Sequence, residues 1–345
     1  MLLFFKKEVL PALPDFASAP VSLPGFDPEF TNFPHYILGI TEQIWEGRNV
    51  GAIRRYYAPN CLVHTGMGSS ANVQAVITGT LEKQHQFPDR LILGEDIIWS
   101  GTPERGLLSS HRSMMTQTHR GAGPLGAPTG RPILMRCIAD CAARDNMIYE
   151  EWLAVDQSAA VLQAGLDPAD LGRAWAAADD AAGLPQPLLA FAESRPGPDT
   201  REIQPDPAAS LLRDHLTAIW GNQDLSAPRR NQDRAITHHL PGGVTAHGPE
   251  AYETFALGYL ASFPDATFSI LHSIAQRDPG HPIRVATRWT LTGTHSGTGT
   301  FGPPTATPVL ILGITHTELH GTRIVREWTM IDEMAIWRRL ARKHG

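Results

Sequence analysis

The chain has 345 residues, more than one hydrophobic core usually organises, so two domains are expected. Apolar residues at 42% and charged residues at 19% are ordinary for globular protein and exclude global disorder. A formal charge of −6 argues against any general attraction to nucleic acid or to an anionic membrane.

Residues 1–33 are a proline-punctuated arm with no clean apolar period, expected either to lie on a neighbouring surface or to be a disordered tail. A helix follows in which Ile37, Leu38, Ile40, Thr41, Ile44 and Trp45 keep helical spacing. A second helix carries Val73, Val76, Ile77 and Leu81 and stops at Phe87-Pro88-Asp89, because proline blocks continuation. Strands are predicted at about 91–99, 107–119, 133–142 and 147–155, followed by a short helix at 157–164. The Ala/Asp-rich stretch 168–182 reads as another short helix. The prolines from Pro185 to Pro207 read as a partly extended linker. The same order then begins again. Leu212, Leu216, Ile219 and Trp220 mark a helix. Pro249 opens a second, where a missing N–H costs nothing, and Tyr252, Phe255, Ala256, Tyr259, Leu260 and Phe263 form its apolar face. Strands at 267–276, 283–294, 309–318 and 323–331 and a helix at 333–340 complete the chain.

The recurrence is literal. Phe87-Pro88-Asp89 returns as Phe263-Pro264-Asp265, Thr118-His119 as Thr294-His295, Glu151-Trp152 as Glu327-Trp328 and Asp156 as Asp332, all at an offset of 176. Several motifs in one register mean a duplication. The domains are therefore an arm at 1–33, a first unit at 34–165, a helix and linker at 166–209, and a second unit at 210–345. Helices before an antiparallel sheet give an α+β layer in each unit.

The stretch Tyr56-Tyr-x-Pro-x-x-x-x-His64, the Phe-Pro-Asp motif, Thr-His-x-Gly before a Gly/Pro loop, and a final Glu-x-Trp with a following Asp resemble SnoaL-like polyketide cyclases. These belong to the nuclear transport factor two superfamily. The resemblance implies two tandem cone-shaped domains, each a curved, mostly antiparallel sheet packed by its N-terminal helices around a pocket. It also implies that the two units pair as an internal pseudo-dimer. Its functional implication is a cofactor-independent enzyme, of cyclase, isomerase or lyase type, using a pocket Asp or His for general acid–base chemistry on a hydrophobic carbonyl or ester compound. The alternative is a non-catalytic small-molecule-binding or scaffold protein of the same fold.

The family's catalytic aspartate maps onto Asp332 and Asp156. A carboxylate desolvated in an apolar pocket is a better proton acceptor near neutral pH, although an aspartate there also serves simply to cap the following helix. Strand alternation places Trp328, Met330 and Asp332 on one face and Glu327 on the other, so Trp328 and Trp152 are expected to line the cavity beside the aspartates. Asp332 has the more apolar setting and is expected to matter more. His295 and His119, before the Gly-rich loop, are candidates to polarise a carbonyl. His64, His239, His316, Arg288 and Arg112 are candidate substrate-binding groups, each weighed against an ordinary core or ion-pair role.

No phosphate-binding glycine motif or serine-nucleophile elbow is present. No histidine or cysteine spacing suits a metal, so neither metal nor cofactor is expected. Three cysteines, Cys61, Cys137 and Cys141, an odd number in a large chain, argue against a disulfide framework and fit a reducing, cytoplasmic compartment. The N-terminal apolar run precedes its lysines, unlike a signal peptide, and no stretch approaches a membrane span. No membrane or nucleic-acid partner is expected.

Overall fold

The computed structural model describes residues 23–192 and 205–342. In the first unit, α1 (Phe33–Trp45) and α2 (Ala52–Tyr56) lead into β1 (Tyr57–Thr65), β2 (Gly68–Ser70) and α3 (Val73–Gln86). Then come β3 (Leu91–Thr102), β4 (Gly106–Thr118), β5 (Pro132–Arg144), β6 (Met147–Val155), α4 (Gln157–Gln163) and the linker helix α5 (Pro168–Ala181). The second unit repeats the plan. It runs α6 (Pro207–Leu216), α7 (Ala227–Asn231), β7 (Gln232–Leu240), β8 (Val244–His247) and α8 (Pro249–Ser262), then β9 (Thr267–Gln276), β10 (Ile283–Thr294), β11 (Pro308–His320), β12 (Arg323–Ile331) and α9 (Glu333–Ala341).

Each unit holds one six-stranded open sheet, ordered β2-β1-β6-β5-β4-β3 and β8-β7-β12-β11-β10-β9. The sheets are mixed: β1 runs parallel to β6 and β7 parallel to β12, and all other pairs are antiparallel. The sequence does not predict β1 or β7, because Pro59 and the polar run around His238 and His239 break the alternation of a half-buried strand.

Local chemistry fixes the helix ends. The Asn32 side chain accepts from His35 N at the start of α1, and Asn72 does the same for Gln74 N at α3. Phe-Pro-Asp has a second role beyond stopping α3 and α8. Asp89 Oδ1 accepts from Thr118 N at 2.8 Å and Asp265 Oδ1 from Thr294 N at 2.7 Å, tying each helix end to the end of β4 or β10. The described part of the N-terminal arm packs on its own unit: Phe26 and Phe30 stand edge-on to Tyr36. Residues 1–22 of that arm lie outside the described residues. Among the described residues no helix is long and apolar enough to cross a membrane.

The helix-free faces of the two sheets meet. Small apolar clusters lie between them: Ile138 and Ala154 with Ile314, Trp328 and Met330, and Ile98 with Ile274 and Ala286. Polar contacts cross the same seam, including Trp99 N to Gln276 Oε1 at 2.9 Å and the Arg284–Asp96 ion pair.

Candidate functional site

The two units differ in what fills the space between helices and sheet. In the second, Trp220 stacks on Trp289 at 5.6 Å between ring centres, and Tyr252 and Tyr259 meet Trp220 edge-on at 6.3 and 5.9 Å. All four are buried. Trp289 has room because residue 313 is glycine: a Cβ there would stand 2.2 Å from the indole. In the first unit the counterparts at offset 176 are small, aliphatic or cationic: Ser113 for Trp289, Val76 for Tyr252, Gly79 for Phe255 and Lys83 for Tyr259. A cavity of about 430 Å³ takes the place of the aromatic filling. The strand burial patterns agree. Along β6, Glu151, Leu153 and Val155 are only half-buried while Trp152 and Ala154 are buried. On β12, Glu327 to Ile331 are buried on both faces.

The cavity wall is largely apolar, with contributions from Ile44, Trp45, Phe87, Met115, Leu153 and Trp175. Among its polar groups, two sets carry titratable side chains with shifted pKa values. In one, Glu151 lines the wall and takes a hydrogen bond from the Tyr57 hydroxyl. Burial pushes the Glu151 carboxyl up to about 7 and the Tyr57 phenol well above its usual range. His111 on β4 also lines the wall, its Nδ1 3.2 Å from Ser109 Oγ; burial pulls its pKa down to about 4, so it is neutral at neutral pH.

In the other set, Lys83 and Asp332 line the wall together with Gln157. Asp332 belongs to the second unit yet lines the first unit's cavity. Its Oδ2 accepts from Gln157 Nε2 at 2.6 Å and its Oδ1 from Ala335 N at 3.3 Å. Burial pushes its carboxyl up to about 7, against the opposing effect of the Gln157 and Ala335 hydrogen bonds; Asp156 raises it further and Lys83 lowers it. Burial and the neighbouring Arg90 hold the Lys83 ammonium below its usual range.

Asp156, the pseudo-equivalent group, is differently employed. Its oxygens accept from Gly242 N and Gly243 N at 2.8 Å, from Ala159 N at 3.1 Å and from Ser158 Oγ at 3.1 Å. It caps α4 and pins a turn of the second unit. Of the two roles sequence leaves open for this aspartate, the geometry favours the cap. Asp332 combines both, capping α9 while facing the cavity.

The remaining expected site residues lie elsewhere. The alternation along the last strand is correct, but the Glu face, not the Trp face, lines the cavity. Trp152 and Trp328 turn toward the opposite sheet, where the Arg288 guanidinium lies 4.4 Å over Trp152 and that of Arg112 3.5 Å over Trp328. The exchange continues with Arg288 to Asp140 at 2.5 Å, Arg112 Nη1 to His316 Nδ1 at 3.3 Å, and His316 Nε2 to Ser110 Oγ at 2.8 Å. These groups are contacts between units, not substrate ligands in the cavity. His64 stacks on Trp152 at 3.9 Å and bonds Glu150 at 2.9 Å, and His239 stacks on Trp328 at 5.3 Å; neither lines the cavity. His119 and His295 are buried clamps of the Gly/Pro loops, their Nδ1 atoms 3.1 Å from Thr129 Oγ1 and Thr305 Oγ1. No group of three or more His, Cys, Asp or Glu side chains among the described residues is arranged to hold a metal ion.

Sequence reasoning missed Glu151, Tyr57, Lys83 and His111. Glu151 was visible as half of the repeated Glu-Trp pair. Lys83 was visible as the one cation on a helix whose copy carries tyrosine there.

Residues 210–340 match the family model described as SnoaL-like polyketide cyclase. Among solved structures, the chain is similar to AclR, a putative hydroxylase from Streptomyces galilaeus (24% identity, 38% of this chain and 94% of that one, TM-score 0.33). It is also similar to IdmH, a putative polyketide cyclase from Streptomyces antibioticus (24% identity, 39% of this chain and 99% of that one, TM-score 0.34). A third is TsrD from Streptomyces laurentii (16% identity, 40% of this chain and 98% of that one, TM-score 0.34). No curated protein matches the chain.

Proposed function

Starting from the SnoaL-like domain at residues 210–340, we propose that this chain is a cofactor-independent acid–base enzyme of the polyketide-cyclase type, acting on a hydrophobic carbonyl compound held in the first unit's cavity. The observation that carries this reading is Asp332: a buried carboxyl, raised to about 7, lining an otherwise largely apolar cavity beside an ammonium. In the proposed mechanism Asp332 takes a proton from the carbon next to the substrate carbonyl. The electron pair moves onto the carbonyl oxygen, where the Lys83 ammonium stabilises the enolate. The enolate carbon then attacks a second carbonyl of the same molecule, and the resulting alkoxide recovers the proton from Asp332. Gln157 holds the carboxylate in position through its 2.6 Å hydrogen bond. The second unit, with its own interior filled, serves as the partner that supplies the base, so each chain works one site.

The first half-reaction is testable without the native substrate. Deuterium uptake at the methyl group of 2-acetylnaphthalene in D₂O, followed by NMR, reads proton abstraction directly. Wild type should accelerate uptake, and Asp332→Asn should lose about 10²–10⁴-fold of that acceleration. An Asn variant with wild-type exchange would sink the assignment and favour a binding protein.

A further inference from the structure

The duplication provides an internal control for Glu151 in the cavity wall. Glu327 occupies the same place in the second unit, where its oxygens accept from Gln232 Nε2 and Thr329 Oγ1, both at 3.0 Å, and where Tyr252 is a third hydrogen-bond partner. Protein side chains thus meet that carboxyl's needs inside a filled interior. In the first unit the Thr329 position is Leu153 and the Tyr252 position is Val76, so two of the three partners are gone. Tyr57, near the Gln232 position, keeps a hydrogen bond to Glu151. Glu327 is fully buried, whereas Glu151 is half-buried and borders the cavity at the place where those partners are missing, so its acceptor capacity faces whatever occupies the cavity.

We infer that Glu151, with Tyr57, is a second polar station that binds an oxygen function of the substrate by hydrogen bonding, apart from Asp332. Glu151 pairs with Val63 on β1, and Asp332 stands against Gly66 just past the end of that strand, so about three residues of extended strand, roughly 10 Å, separate the two levels. The substrate class follows: an elongated, largely apolar molecule carrying a carbonyl or phenolic hydroxyl at each end. Leu153, between Glu151 and Val155 on β6, supplies apolar wall for its middle, and Met115 and Phe87 add apolar wall near the α4 end. The inference rests on the proposed function in using the same cavity, but it concerns binding, not proton abstraction.

The test compares two probes by isothermal titration, 2,6-dihydroxyanthraquinone, with hydroxyls at opposite ends of three fused rings, and 2-hydroxyanthraquinone, with one. Wild type should bind the two-ended probe about tenfold more tightly. Glu151→Leu should bring the two affinities within about twofold, the size expected once that hydrogen bond is gone, and Glu151→Gln, which keeps a hydrogen-bonding group, should restore part of the preference. The preference is read by binding alone and deuterium exchange separately, so a wild-type preference without exchange, or exchange without a preference, tells failure of one idea from failure of the other. Equal affinities in wild type overturn the inference without any variant, and so does a preference that survives Glu151→Leu.

Discussion

Replacing Asp332 by Asn should change stability in a strongly pH-dependent way. The native carboxyl is pushed up to about 7 by burial, whereas in the unfolded chain it titrates near its ordinary value of 3.8. Native protein therefore keeps a proton that unfolded protein releases between those two values. Stability falls as pH rises from about 4 to about 7, then levels off once both states are ionised. At pH 8 the native state bears nearly the whole difference, at most about 4 kcal/mol; at pH 5 the corresponding figure is about 1.7 kcal/mol. Asn carries no charge and caps a helix as well as Asp does. The variant should thus gain about 2–3 kcal/mol on wild type between pH 5 and pH 8, because the loss of the Gln157 contact is common to both conditions. Urea denaturation at the two pH values measures the gain. A stability difference that does not change with pH would mean that Asp332 is ordinarily ionised, and the argument for a poised base would fail.

Asp156→Ala removes acceptors from three backbone N–H groups, two of them in the other unit, and should cost about 3 kcal/mol or more in urea denaturation; a cost below 1 kcal/mol would contradict its role as a clasp. Gly79→Phe installs the residue found at the same place in the second unit, and nothing lies within 4 Å of its new Cβ. It should abolish binding of 2,6-dihydroxyanthraquinone while holding or raising Tm, since glycine within a helix costs about 1 kcal/mol. Gly313→Ala drives a methyl into the Trp289 ring, itself stacked on Trp220, and should destabilise the second unit by about 2 kcal/mol or more, read by thermal melting.

Much of the fold is written in the sequence. Literal repeats such as Phe-Pro-Asp announce the duplication, since Asp89 and Asp265 make the same helix-to-strand bond in both units. The eight strands β3 to β6 and β9 to β12 carry enough alternation to be placed, whereas β1 and β7, as long as β6 and β12, do not. The site was half legible. Asp332 stands out by family pattern and by its apolar setting, but that it lines the cavity of the other unit depends on how the units meet. The inversion of Trp152 and Glu151 has the same origin. A period of two fixes that neighbours face opposite ways and is silent about which face holds the cavity. Tryptophan looked like a pocket residue because the face it covers is apolar and buried, but what buries it is the second sheet. Arg112 and Arg288 hinted at this. A guanidinium in the same strand of each copy, with His316 and Asp140 matched in the next strand, is the pattern a near-twofold contact produces, each arginine meeting the partner position of the other unit. The filled second interior was also readable, as Tyr252, Phe255, Tyr259 and Trp289 against Val76, Gly79, Lys83 and Ser113.

The measurement that bears most directly on the central claim is the pH profile of deuterium exchange into 2-acetylnaphthalene. A base held at about 7 predicts a rate that rises with pH through a single midpoint near 7 and then flattens. Glu151 titrates in the same range, so the profile is taken on Asp332→Asn and Glu151→Gln alongside wild type. The account predicts that the midpoint disappears with the rate in Asp332→Asn and persists in Glu151→Gln. A midpoint near 4, or a wild-type profile retained by Asp332→Asn, would contradict it.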